Sequence, residues 1–158
     1  MIRKLRSEDR PGLSEILLAT EEFSSEEVSV ALELIDCALN DPAQQDYNIF
    51  VSECDGHISG YHCTGRRPLT DAVFDLYWIV VAPEYRGRGI GGSLISDAEN
   101  FVKRNNGRWL LIETSSRDKY NATRNFYLKN GYEELANIHD FYSQNDALVI
   151  YGKFFQQS

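Results

Sequence analysis

Seven consecutive residues, Arg86-Gly87-Arg88-Gly89-Ile90-Gly91-Gly92, carry the strongest chemical signal in the chain. An apolar run from Phe74 to Ala82 precedes them and reads as a strand. Ser93 to Lys103 follows and reads as a helix. A glycine-rich turn from strand to helix leaves backbone N–H groups unpaired, and the helix dipole adds partial positive charge. Such a turn suits a phosphate or pyrophosphate. The two arginines add full charge and forked donors. A phosphate-bearing cofactor held at this turn is the expectation that organises the rest of the chain.

The elements that must position this turn are legible in order. Residues 2–6 form a short opening strand. Ser7 is placed to cap a first helix, with Pro11 tolerated in its early turns. Leu13, Ile16, Leu17 and Thr20 share one face of that helix. Ser24 with Glu27 forms a capping-box pattern, after which Val28, Ala31, Leu32, Ile35 and Leu39 recur at helical spacing. Asn40-Asp41-Pro42 stops this second helix. These helices cover a sheet and can also wall a substrate pocket.

Tyr47 to Cys54 and His57 to Thr64 read as two strands joined by the hairpin turn Asp55-Gly56. Residues 65–71 form a loop. The nearly continuous apolar run Phe74 to Ala82 predicts a central strand covered on both faces, ended by Pro83. In the helix Ser93 to Lys103, Leu94, Ile95, Ala98, Phe101 and Val102 make an apolar stripe, and Asn106-Gly107 closes it. Trp109 to Thr114 is the next strand. Strand, helix and strand at this spacing make a βαβ unit with parallel strands and a right-handed crossover. A short amphipathic helix over 121–130 ends at Gly131. Tyr132 to Tyr142 and Ala147 to Phe155 form a last antiparallel pair around residues 143–146. The fold class is α+β: a mixed sheet with a central βαβ crossover and antiparallel flanking strands, in one domain over residues 1–158.

Composition bounds the function. The chain has 158 residues, of which 42% are hydrophobic and 25% charged, as in an ordinary globular domain. A net charge of −8 argues against non-specific nucleic-acid binding and favours a cationic partner. An anion site must therefore be local. Cys37, Cys54 and Cys63 are odd in number and lack metal spacing, so reduced thiols and a cytoplasmic location are expected, without a metal or a disulfide framework. No apolar run approaches membrane-spanning length.

The turn alone leaves several readings open. A Rossmann loop needs G-x-G-x-x-G in the first unit and an acidic residue ending the next strand. A Walker loop needs Gly-Lys-Ser/Thr. Here the spacing reads Arg-x-x-Gly-x-Gly, the unit is central rather than first, antiparallel strands precede it, and no Gly-Lys-Ser/Thr follows. The run Val81-Ala82-Pro83-Glu84-Tyr85-Arg86-Gly87-Arg88-Gly89-Ile90-Gly91 closely resembles the acetyl-CoA loop of the GNAT superfamily of N-acetyltransferases, Arg/Gln-x-x-Gly-x-Gly/Ala after a strand. A second segment, Asn121-Ala122-Thr123-Arg124-Asn125-Phe126-Tyr127-Leu128-Lys129-Asn130-Gly131-Tyr132, is similar to the family's Ala-x-x-Phe-Tyr-x-x-x-Gly-Phe/Tyr helix. The two motifs span about residues 74–132, and the element order extends the likeness over the whole chain.

The resemblance implies a GNAT-like acyl-CoA N-acyltransferase fold and transfer of acetyl from acetyl-CoA to a primary amine by direct attack, with no metal. Carried over residue by residue, the backbone of Gly87, Arg88, Gly89, Ile90, Gly91 and Gly92 holds the CoA pyrophosphate, and Arg86 orders the turn. Backbone groups of Ile79 and Val81 pair with the pantetheine arm, and an N–H near Ile79 polarises the thioester carbonyl. Tyr127 matches the family's frequent general acid. Asn121 and Arg124 match contacts to CoA, or else cap the helix and carry a solvated charge; Lys119 stands where the family often has an asparagine. Asp75, on the central strand, and Glu113, on its neighbour, are alternative general bases. His57, His62 and His139 read as structural or solvated, with His139 and Tyr142 as further acceptor contacts. The acceptor is a small-molecule amine or a protein amino group, and specificity falls to residues 20–48, 66–73 and 139–146. A homodimer through the C-terminal strands or the sheet edge is compatible with the family. A non-catalytic acyl-CoA-binding module is the alternative function, because binding alone needs the same loop.

Overall fold

A reciprocal capping box starts the longest helix, α2 (Ser25–Asn40). The Glu27 N–H donates to the Ser24 hydroxyl and the Ser24 N–H donates to the Glu27 carboxylate, 3.1 Å each. The helix before it, α1 (Arg10–Ala19), begins differently from the expectation. Ser7 does not cap it. A 3₁₀ turn over Ser7–Asp9 intervenes, and the Asp9 carboxylate accepts the Arg6 N–H at 2.8 Å. Asp9 is buried and forked by the Arg3 guanidinium at 2.8 Å, while the Ser7 hydroxyl turns to Glu8. A charge-assisted pair outcompetes a neutral hydroxyl for this position.

The computed structural model describes residues 1–156. Seven strands run in the order β1-β2-β3-β4-β5-β7-β6. They are β1 (Ile2–Lys4), β2 (Asn48–Cys54), β3 (His57–Arg66), β4 (Val73–Val81), β5 (Trp109–Ser115), β6 (Glu133–Ser143) and β7 (Asp146–Phe154), with α3 (Ile90–Arg104) and α4 (Asn121–Lys129) completing the helices. β1–β2, β2–β3, β5–β7 and β6–β7 pair antiparallel, whereas β4 and β5 are parallel, as the βαβ spacing requires. This is the mixed α+β sheet. The chain divides into two compact units: Met1–Gly65 with Tyr77–Phe101, and Arg66–Leu76 with the chain from Val102 onward.

In the first unit α1 and α2 bury the predicted faces. Leu13, Leu17, Ala31, Ile35, Val51 and Tyr61 are fully excluded from solvent in one cluster. Each large aliphatic chain so buried contributes about 1.5–3 kcal/mol. Thr20 is buried too, its hydroxyl donating to the Ile16 carbonyl at 2.9 Å. The sheet is tight at Gly60, where a Cβ would stand 2.5 Å from the Val80 carbonyl oxygen, so only glycine lets β3 approach β4 there. The run read as fully covered is not uniformly so: Phe74, Leu76 and Val80 are buried, whereas Tyr77, Trp78 and Ile79 are half-buried.

In the second unit β5 pairs along its whole length with β7, from Trp109 opposite Phe154 to Ser115 opposite Leu148. Its parallel pairing with β4 joins Val73, Phe74 and Asp75 to Trp109, Leu110 and Leu111. The end of α3 is closed as Asn106-Gly107 predicts: the Gly107 N–H reaches the Val102 carbonyl at 2.8 Å, the Asn106 N–H reaches Lys103 at 3.1 Å, and Asn106 is left-handed at φ 55°. The last hairpin turns tightly, with Ser143 opposite Asp146 and Asn145 at φ 66°. From β4 through β7 seven of the eight predicted boundaries shift by one residue, and only the start of β5 at Trp109 is unchanged.

Candidate functional site

The turn after β4 lies in the first unit. A 3₁₀ turn over Pro83–Tyr85 leads out of the strand, and the Arg86 N–H closes on the Pro83 carbonyl at 3.3 Å. Gly87 and Gly89 follow at φ 78° and 80°, a region that costs an L-residue about 1–2 kcal/mol. Helix α3 starts at Ile90, three residues before the predicted Ser93, because Gly91 and Gly92 continue into the helix rather than the coil. The Ser93 N–H makes the first bond, to the Gly89 carbonyl at 3.1 Å. Ile90, Gly91 and Gly92 are thus the first-turn residues whose N–H groups have no intrahelical acceptor.

Arg86 through Gly89 are exposed. The Arg86 guanidinium reaches Glu22, between α1 and α2, at 3.4–3.5 Å, and Arg88 lies over the Tyr85 ring at 5.1 Å. Apart from chain neighbours and the backbone of α3 itself, no heavy atom of the described residues comes within 4 Å of the Cβ positions of Gly87, Gly89 or Gly92. Open glycine backbone, a helix N-terminus and two guanidinium groups together fit an anionic, phosphate-bearing ligand. Ile79 and Val81, on the strand leading into the turn, are half-buried.

The same unit holds His62, fully buried on β3. Its Nε2 is 2.8 Å from Asp97 of α3, its Nδ1 3.0 Å from the Thr64 hydroxyl, and its ring stacks on Phe50 at 5.2 Å. These contacts fasten the helix that carries the turn, so His62 is a structural histidine. His57 is exposed.

The second unit brings the two candidate bases together. The Arg67 Nε donates to both Asp75 carboxylate oxygens at 3.1 Å, and its NH2 donates to Glu113 at 3.0 Å. Asp75 is 7% exposed, while the Glu113 side chain is 44% exposed. Burial pushes the Asp75 carboxyl above the usual carboxylate range, Arg67 pulls it down, and the Glu113 charge adds to the rise. Arg67 is anchored by its own backbone: its N–H donates to the Val73 carbonyl at 2.8 Å, and its carbonyl accepts the Thr70 hydroxyl at 2.7 Å. Sequence reasoning missed Arg67. The available signal was the Arg66-Arg67 pair in an acidic chain, shortly before an apolar strand interrupted by a single aspartate.

Also in this unit, Tyr127 is buried on α4, with ring centroids 5.8 Å from Tyr151 and 6.3 Å from Tyr132. Burial, aided by Tyr151, pushes its phenol well above the ordinary value, so it keeps its proton. Gly131, at φ 88°, ends the helix where predicted. Asn121 is not the cap of α4; that position is Tyr120. Arg124 is not a solvated charge: it donates to the Asn121 amide oxygen and to the carbonyls of Ser115 at 2.6 Å and Arg117 at 3.0 Å. Lys119 lies over the Tyr120 ring at 5.2 Å. His139 is exposed beside Asp140 at 3.2 Å, and Tyr142 is half exposed.

The family model of the acetyltransferase (GNAT) domain matches residues 45–134, more than half of the chain and parts of both units. A crystal structure from Desulfovibrio desulfuricans, provisionally named a GNAT-family acetyltransferase, is 34% identical, with 98% of each chain covered and a TM-score of 0.94. A Bacillus subtilis protein provisionally named a ribosomal protein bS18-alanine N-acetyltransferase is 31% identical over 103 residues. That match covers 64% of this chain and 65% of the relative's length. An aminoglycoside 6'-N-acetyltransferase complexed with coenzyme A shares the fold at 16% identity, with a TM-score of 0.79 over 100% of this chain and 99% of the other.

Proposed function

Because the chain belongs to the GNAT acetyltransferase family, we propose that it transfers the acetyl group of acetyl-CoA to a primary amine by direct attack. The observation that carries this reading is the Arg86–Gly92 turn, exposed from Arg86 to Gly89, with two left-handed glycines at the N-terminus of α3. Coenzyme A bound to the aminoglycoside-modifying relative supports the same donor. The family match over residues 45–134 supports a single GNAT domain in sequence.

Acetyl-CoA supplies an activated thioester; the chain supplies position and proton transfer. The N–H groups from Gly87 to Gly92 hold the pyrophosphate, and Arg86 and Arg88 add charge around it. Backbone groups of Ile79 and Val81 pair with the pantetheine arm, and an N–H at Ile79 stabilises the negative charge that grows on the carbonyl oxygen. Asp75 accepts a proton from the acceptor's ammonium group, leaving the neutral amine that attacks. Its burial and raised pKa favour it over the more exposed Glu113. As the amine nitrogen bonds to the acetyl carbon and the C–S bond breaks, Tyr127 gives its proton to the leaving sulfur, and the surplus proton on the nitrogen passes through solvent to restore the phenol. Asn121 and Arg124 shape the end of β5 and the start of α4 and act on the donor through that backbone.

The acceptor is an amino group on a protein or a small molecule, the two classes that the relatives' names carry. The net charge of −8 favours a cationic one. Among the described residues no helix is long and apolar enough to cross a membrane. The three free cysteines suit a reducing, cytoplasmic setting.

The test is acetyl-dependent thiol release over a panel of amines and peptides, with the acetylated product identified by mass spectrometry. Turnover should fall about 10²-fold in Tyr127→Phe. Unchanged turnover in that variant removes Tyr127 as the acid. Acetyl-CoA binding without thiol release on any amine supports a binding module instead.

A further inference from the structure

We propose that Arg67 is a positioning residue for proton transfer: it holds Asp75 ionised and aimed, and ties it to Glu113 as one unit. The proposal rests on the reading of Asp75 as the base. Three observations carry it. Arg67 Nε is equidistant, at 3.1 Å, from both Asp75 oxygens, which fixes the carboxylate plane. The other arm of the same guanidinium reaches Glu113 at 3.0 Å, so one cation sets two carboxylates from different strands. Asp75 is nearly excluded from solvent, where a lone carboxylate would take up a proton and could no longer accept one from an amine.

The charges acting on Asp75 are Arg67, from the β3–β4 connection, and Glu113, from β5. Arg67 lowers its pKa, whereas burial and Glu113 raise it. Removing the guanidinium therefore leaves only the upward influences, and Asp75 protonates at higher pH. The Arg67 side chain is 38% exposed and the turn around it is held by backbone groups, so its replacement spares the fold. Lysine restores the charge but not the fork and should rescue in part.

The experiment uses the full chain and compares wild type, Arg67→Gln, Arg67→Lys and Asp75→Asn. The Asp75 carboxyl is titrated by carbon NMR, and the acidic limb of kcat/KM is followed with the best amine from the acceptor panel. In Arg67→Gln both should move up by about one pH unit or more, lowering kcat/KM about tenfold on that limb, with acetyl-CoA affinity unchanged. Arg67→Lys should return most of the shift. An Asp75 titration that stays in place in Arg67→Gln overturns the proposal, and so does a moved titration with an unmoved limb. Full turnover in Asp75→Asn sinks the base assignment itself, and no thiol release by the wild type sinks the acetyl-transfer reading; neither result depends on Arg67.

Discussion

The turn at Arg86–Gly92 and the cluster of Arg67, Asp75 and Glu113 are opposite kinds of site. The turn is seven consecutive residues, exposed from Arg86 to Gly89, and its chemistry resides in backbone geometry: left-handed glycines and a helix start. The cluster draws three side chains from two strands and a loop, across 46 residues of sequence, around a buried carboxylate. Local backbone geometry follows from residue type, because glycine alone takes φ near 80° without strain. A side-chain cluster exists only once strand pairing sets it, here through Asp75 opposite Leu111 on β5.

The comparison predicts that the turn fails through charge and backbone dihedrals, and the cluster through proton transfer. The largest effect belongs to Gly89→Glu. It puts a side chain at φ 80° and a carboxylate beside the proposed pyrophosphate site. Acetyl-CoA affinity should drop more than about 100-fold, combining about 1–2 kcal/mol of backbone strain with charge repulsion. Calorimetry decides it, and near-normal affinity would place the donor elsewhere. Melting should fall by about 2–8 °C, the cost of that strain alone, since open space surrounds the position and no other contact is lost.

The cluster should respond in the reverse pattern. Asp75→Asn keeps size and shape but cannot take a proton, so kcat/KM should fall about 10²-fold with acetyl-CoA affinity intact. Glu113→Gln should cost less, about tenfold or below, because Glu113 is half in solvent and Arg67 keeps its hold on Asp75. Equal losses in the two variants would break the division of labour between them.

The same contrast explains what could be read from the residues alone. The apolar faces of α1 and α2, the Ser24–Glu27 capping box, the parallel β4–β5 pair and the left-handed Asn106 and Gly131 all rest on spacings or residue types that act within a few positions. The failures are tertiary. Ser7 does not cap α1, because Asp9 occupies the N-cap position, its carboxylate held by Arg3, from β1, and by the Arg6 N–H. The solvated-charge alternative for Arg124 fails because its guanidinium is tied to the carbonyls of Ser115 and Arg117. Arg67 carried no motif because its two partners come together only through the pairing of β4 with β5.

The smallest effect tests whether the glycines of the turn are interchangeable. They are not: Gly87 and Gly89 have positive φ, while Gly91 and Gly92 sit in the first turn of α3. In a helix, alanine is preferred to glycine by about 0.5–1 kcal/mol, and nothing lies within 4 Å of the Gly92 Cβ position. Gly92→Ala should therefore raise stability by up to that amount, a gain of about 1–4 °C in thermal melting. Gly89→Ala should lower it by a similar amount. If the added methyl at 92 also weakens acetyl-CoA binding, the glycine there serves the approach of the ligand to the first-turn N–H groups. If binding is unchanged, the anion is held by the left-handed part of the turn, and the motif divides into a cradle at 87–89 and an ordinary helix start.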